Sequence, residues 1–125
     1  MSKILIIAEI GVNHNGNLST AKKLIEVAKV SGADFVKFQL FITEDHLTQN
    51  AKQADYQKIN LGKKISQYEM AKKYELSKNE LKILFNYSKK LKIKFLASCF
   101  DIKSLKFYEN FIPNYIKIPS GEITN

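Results

Sequence analysis

Residues 4–10, ILIIAEI, form an apolar run broken only by Glu9 near its end, the pattern of a strand covered on both faces. The period then changes. Residues 11–17 (GVNHNGN) are a loop of Gly and Asn, which tolerate left-handed backbone angles. Ala21, Leu24, Ile25 and Ala28 recur at helical spacing, with Ser19 as the expected N-cap and Gly32 as the stop. Residues 35–39 (FVKFQ) read as a second strand. Residues 40–76 are irregular apart from a short helix near 67–73, and loops of that length between a strand and a helix tend to be functional. Residues 77–80 (SKNE) match a capping box, followed by a stripe of Leu81, Leu84, Ser88 and Leu91. A third strand is expected at 95–100 (FLASCF), then a short helix capped by Asp101 that carries Ile102, Leu105 and Tyr108. A fourth strand is expected at 115–120 (YIKIPS).

Strands alternating with helices imply an α/β fold with parallel pairing through right-handed crossovers. Either an open doubly wound sheet or part of a (β/α)8 TIM barrel fits. A complete barrel takes about 250 residues, so a chain of 125 residues is expected to hold at most half of one. Its 45% hydrophobic content suits a folded core. No apolar run approaches the ~20 residues that span a bilayer, and no cleavage site follows MSKILIIAEI. Cys99 stands alone and cannot form an internal disulfide, which suits the cytoplasm.

The net charge of +8 comes entirely from Lys, with no Arg in the chain. Nucleic-acid readers favour Arg, whose planar fork grips guanine and phosphate in two places. The lysines are also dispersed, so most read as solvated surface. Their summed field favours an anionic small ligand.

Function is most legible where polar residues interrupt the strands. Glu9 lies late in the first, Lys37 and Gln39 share a face of the second, and Ser98 lies late in the third. Lys117 lies within the fourth, with Ser120 and Glu122 just beyond. In parallel α/β folds these ends open onto one rim, where active sites sit. The lysines can hold a phosphate or carboxylate, or be ion-paired core residues. Glu9 can be a base, orient a water, or simply pair with a lysine. Gln39 can bond a sugar hydroxyl or only satisfy backbone groups, and Ser98 and Ser120 suit phosphate oxygens or backbone alike. His14 and His46 form no ligand cluster with the one cysteine, so no metal residues are assigned. Cys99, with no His near it in sequence, reads as a small buried residue. There is no Walker loop and no GxGxxG.

Four segments together, IAEIGVNHNGN at 7–17, GADFVKFQ at 32–39, SQYEM at 66–70 and IKIPSGE at 116–122, resemble the N-terminal half of the sialic acid (N-acetylneuraminate/nonulosonate) synthases. The resemblance runs over the whole chain. It implies the first four strands of a TIM barrel, with the C-terminal half-barrel and an antifreeze-like domain absent from residues 1–125. It also implies condensation of phosphoenolpyruvate with N-acetylmannosamine or a related amino sugar, releasing phosphate, and a divalent metal, Mn2+ or Mg2+. The metal's histidine ligands would lie beyond this chain, and the full-length proteins would be homodimers. By motif, Lys37, Lys117, Ser120 and Ser98 correspond to phosphoenolpyruvate-binding positions, and Gln39 and Glu122 to sugar-binding positions. Glu9 corresponds to a catalytic glutamate beside the metal-bound water. Family members often have STPF where residues 97–100 read ASCF. The expectation is a truncated synthase, inactive alone. Three other readings stay open: a Schiff-base aldolase using Lys117, a non-catalytic anion- or nucleic-acid-binding fragment, and a remnant of a broken reading frame without function.

Overall fold

The computed structural model describes residues 4–47 and 66–124. Strand β1 (Ile7–Gly11) leads into helix α1 (Leu18–Val30), and strand β2 (Phe35–Leu40) into the short helix α2 (Thr43–His46). Helices α3 (Gln67–Tyr74) and α4 (Lys78–Lys90) precede strand β3 (Lys94–Cys99). Helix α5 (Ile102–Glu109) and a 3-10 turn (Ser120–Glu122) follow.

The strands form one parallel sheet in the order β1-β2-β3. Side chains alternate across it. Val36, Phe38, Leu40, Phe95, Ala97 and Cys99 join a buried cluster with Ala21 and Ile25 of α1, Leu81 and Leu84 of α4, and Tyr108 of α5. The rings of Phe38 and Phe95 stack at its centre, 5.1 Å apart. Tyr108 is fully buried and its hydroxyl donates to the Phe95 carbonyl at 3.3 Å; burial pushes the phenol up to about 12. Helices α1, α4 and α5 thus share one apolar cluster on one side of the sheet. A doubly wound sheet would carry helices on both, so the arrangement is that of a barrel's opening arc.

Local chemistry sets the ends of the helices. The Asn17 side chain caps α1 by accepting from the Thr20 N–H at 2.8 Å, so the helix begins before Ser19, the cap expected from sequence. Ser77 and Glu80 form the expected capping box on α4, and Ser66 and Glu69 form a second one on α3. Asp101 caps α5 as expected and also accepts from the Ile42 N–H at 2.8 Å, tying the end of β3 to the end of β2. Glu75 accepts from the Thr43 N–H at 3.1 Å and from its hydroxyl at 2.7 Å. Those two carboxylates anchor α2, which the sequence did not suggest.

The fourth strand is reduced relative to expectation. Residues 115–120 make a single parallel bridge, Lys117 to Ser98, in place of a ladder. Ile116 and Ile118 remain 47% and 54% exposed, and Pro119 has no N–H to extend the pairing. At the other edge, Ile4, Ile6 and Ile7 are exposed as well. Among the described residues, both borders of the sheet therefore present apolar side chains beside backbone without a ladder partner, the condition that favours further strand pairing.

Gly16 shows how tightly the first loop meets α3. Its φ is +71°, and a Cβ there would lie 2.2 Å from the Lys73 carbonyl oxygen. Gly32 has φ +84° but open space around it. Gly32→Ala should cost about 1 kcal/mol from backbone strain alone. Gly16→Ala should cost at least about twice that, since a backbone carbonyl must also move. Urea midpoints of the two variants compare these directly.

Candidate functional site at the C-terminal rim of the sheet

The face opposite the helices carries the polar residues. Glu9 and Lys37 are register partners, and their side chains form an ion pair. The Lys37 side chain is 16% exposed and that of Glu9 49%. A nearly buried ammonium needs such a partner, because desolvation without one is costly. The next row pairs Gln39 with Ser98, and Ser98 bridges to Lys117. Ser98 is buried, whereas Lys117 is exposed and its ammonium donates to the Ile118 carbonyl at 2.6 Å. Two residues on, the same alternation thus sets a glutamine–serine–lysine row above the glutamate–lysine pair.

Gly11 was not singled out from sequence, yet it lets this cluster close. A Cβ at Gly11 would lie 3.3 Å from Glu9 Oε1 and 3.7 Å from Gln39 Nε2, and its φ of +54° suits glycine. Its signal was the Gly directly after the strand, two residues past Glu9. The remaining expected residues sit apart from the pair. Glu122 and Lys117 line a cleft of about 280 Å3 beside Asp101, Ile102 and Leu105. Ser120 opens the terminal 3-10 turn and is exposed. Register therefore gathers Glu9, Lys37, Gln39, Ser98 and Lys117 on one face, with Ser120 and Glu122 following Lys117 along the chain.

Other reactive groups are held out of use. Burial, then the charges of Asp101 and Glu109, pushes the Cys99 thiol up to about 12, so it is no thiolate nucleophile. His14 is fully buried beside Phe38, and its Nδ1 accepts from the Gly16 N–H at 3.0 Å. Among the described residues no three His, Cys, Asp or Glu side chains converge as a metal site. Nor is any described helix long and apolar enough to cross a membrane.

Comparison with known proteins identifies the family and the fold. A family model described as "NeuB family" matches residues 24–125. The N,N'-diacetyllegionaminic acid synthase of Campylobacter jejuni is 49% identical over 125 residues, covering 100% of this chain and 37% of that protein. The N-acetylneuraminate-9-phosphate synthase of Drosophila melanogaster is 37% identical, covering 100% of this chain and 33% of the relative. Among solved structures, the N-acetylneuraminic acid synthetase of Leptospira borgpetersenii superposes with a TM-score of 0.73 at 29% identity, over 94% of this chain and 36% of that one. This chain thus spans roughly a third of the length of these relatives, and its fold is the N-terminal part of their TIM barrel.

The buried imidazole gives a pH test. Burial lowers the His14 pKa from its ordinary 6.5, partly offset by the Glu80 charge and the Gly11 backbone. Folding then favours the neutral ring. The stabilisation is complete above the unfolded-state value and is lost as pH falls toward the depressed folded-state value. Stability should fall as pH drops below the ordinary imidazole value of 6.5, and His14→Gln should flatten that dependence. Urea midpoints across the range check it.

Proposed function

Because this chain belongs to the NeuB family, we propose that it carries the phosphoenolpyruvate-binding part of a nonulosonate synthase. The reaction joins phosphoenolpyruvate to N-acetylmannosamine or a related amino sugar and releases phosphate. One observation carries the reading. The parallel register sets Glu9, Lys37, Gln39, Ser98 and Lys117 on a single sheet face toward the strands' C-terminal ends.

Lys37 and Lys117 hold the carboxylate and phosphate of the donor, with the Ser98 and Ser120 hydroxyls on its oxygens. Fixed ammonium groups of this kind act mainly by positioning and by stabilising charge. Carbon 3 of the enol attacks the sugar's aldehyde carbon, forming the C–C bond, and the aldehyde oxygen takes up a proton. Water adds to carbon 2 as its positive charge develops, with Glu9 orienting that water and accepting its proton. The C–O bond to phosphate then breaks, leaving a 2-keto acid and inorganic phosphate. Gln39 and Glu122 bond the sugar's polar groups. The Glu9–Lys37 pair supports this division of roles, since it aims the carboxylate and the ammonium at the same spot.

The Mn2+ or Mg2+ expected for the condensation belongs to the whole protein, as does the homodimer, and a cytoplasmic setting suits the single free thiol. The condensation is proposed for a protein of the relatives' length, of which residues 1–125 match roughly a third.

Titration of the 125-residue chain with phosphoenolpyruvate, followed by 31P line broadening, tests the donor site. Lys37→Ala should weaken binding by about tenfold or more, because it removes a charge-assisted contact from a shielded position. Unchanged affinity would remove Lys37 from the donor site and with it the central role assigned to this face.

A further inference from the structure

A cleft of about 370 Å3 opens at the opposite end of the sheet, where β3 begins. Lys94 at that end and Ser98 near the rim are four residues apart, about 13 Å along the strand. The cleft's apolar lining includes Phe85, Phe95, Phe111 and Pro113. Phe85 and Phe111 stack with their centroids 4.4 Å apart, and both meet Phe95 edge to face. Lys89, Lys92 and Lys94 also line the cleft, and no acidic residue does. The Lys94 ammonium is held over the Phe35 ring, 5.2 Å from its centroid, so Lys89 and Lys92 are the cleft's cations. Lys89 follows Phe85 by four residues on α4 and therefore shares its helix face. Among the described residues, neither of these two lysines pairs with a carboxylate.

The backbone around the cleft is strained at two points. Among the described residues three non-glycines have positive φ, and two of them, Lys92 at +55° and Ile112 at +51°, line this cleft. Helices α1 and α4 end alike: Gly32 and Lys92 each donate an N–H to the carbonyl three residues back, and Ala33 and Ile93 to the one five back. The first helix puts glycine at the left-handed position, which costs it nothing, and the second puts lysine there, which is strained. Ile112 is β-branched and 88% exposed, so neither core packing nor backbone preference accounts for its conformation. Strain kept at two points of one cleft is a pattern found at ligand clamps.

We infer that this cleft binds a phosphate monoester carried on a flat apolar ring, the class of a nucleoside monophosphate. Two ammonium groups match a phosphate monoester, which is close to a dianion at neutral pH. The aromatic lining matches the ring, since bases stack on aromatic side chains. Free phosphate would leave that lining unused, and a neutral ring would leave the lysines unmatched. The volume falls within the roughly 300–1,000 Å3 of small-molecule pockets. The carbonyl end of a helix repels an anion, but here the carbonyls of Ser88 and Lys89 accept from the N–H groups of Ile93 and Lys92, and that of Lys92 accepts from Lys29 Nζ at 2.9 Å. The cleft lies away from the face assigned to the donor, so this inference stands apart from the proposed condensation.

Calorimetric titration of the 125-residue chain with adenosine monophosphate, inorganic phosphate and adenosine tests it. The nucleotide should bind about tenfold or more tightly than either of its parts. Lys92→Gly should weaken nucleotide binding by about tenfold, through loss of a charge-assisted contact, while the urea midpoint rises because glycine relieves the strain. Lys89→Gln should weaken binding to a similar degree with the midpoint little changed, and Lys37→Ala on the polar face should leave it intact. No detectable nucleotide binding overturns the inference, and so does nucleotide binding no tighter than that of phosphate, which would leave the aromatic lining without a part. Binding lost in Lys37→Ala but kept in Lys92→Gly would move the nucleotide to the donor face and overturn the cleft.

Discussion

Phe38 and Phe95 decide which way the middle of the sheet points. Their stacked rings lock β2 to β3 on the helix side, where Ile25, Leu84 and Tyr108 pack around the same cluster. A stacked aromatic pair adds about 0.5–1.5 kcal/mol beyond its buried area. Its larger effect is directional. A strand has period two, so once these rings face the helices, Lys37, Gln39 and Ser98 must face the other way. A slip of one residue would drive an ammonium into the core and a phenyl ring onto the polar face. The apolar packing that stabilises the arc also holds the polar face together.

On that face, alternation alone would give a row of groups without a shared centre. Pairing supplies one. Lys37 is mostly shielded, and Glu9 stands opposite it on the neighbouring strand. Gly11 then leaves the space in which the Glu9 carboxylate and the Gln39 carboxamide come near each other. Burial, charge and a missing side chain act in sequence, and each depends on the register set by the aromatic pair.

The strands, the main helices and the strand-end polar residues were legible because they rest on local period and capping chemistry. Ser77–Glu80 and Asp101 declare helix starts within a few residues, and those starts are where the sequence puts them. Ser19 and Asn17 are both good caps, and the turns of the preceding loop select Asn17. Helix α2 was illegible because its anchors are Glu75 and Asp101, 32 and 59 residues away from the amides they hold. The fourth strand has the right local pattern, but a strand needs neighbours, and residues 115–120 have one bridge to Ser98. Lys37 and Gln39 could be placed on a common face from spacing alone. The role of Gly11 could not, since it arises from how separate strands meet.

That lone bridge has a consequence for binding. Lys117 rides on the least anchored stretch of the sheet, while Lys37 is fixed inside a full ladder. A dianion gripped by both would draw a loosely tethered ribbon onto a rigid one, and part of the attraction would go into ordering it. The two lysines are alike in chemistry but unequal in support: one stands inside a full ladder, and the other hangs on a single bridge.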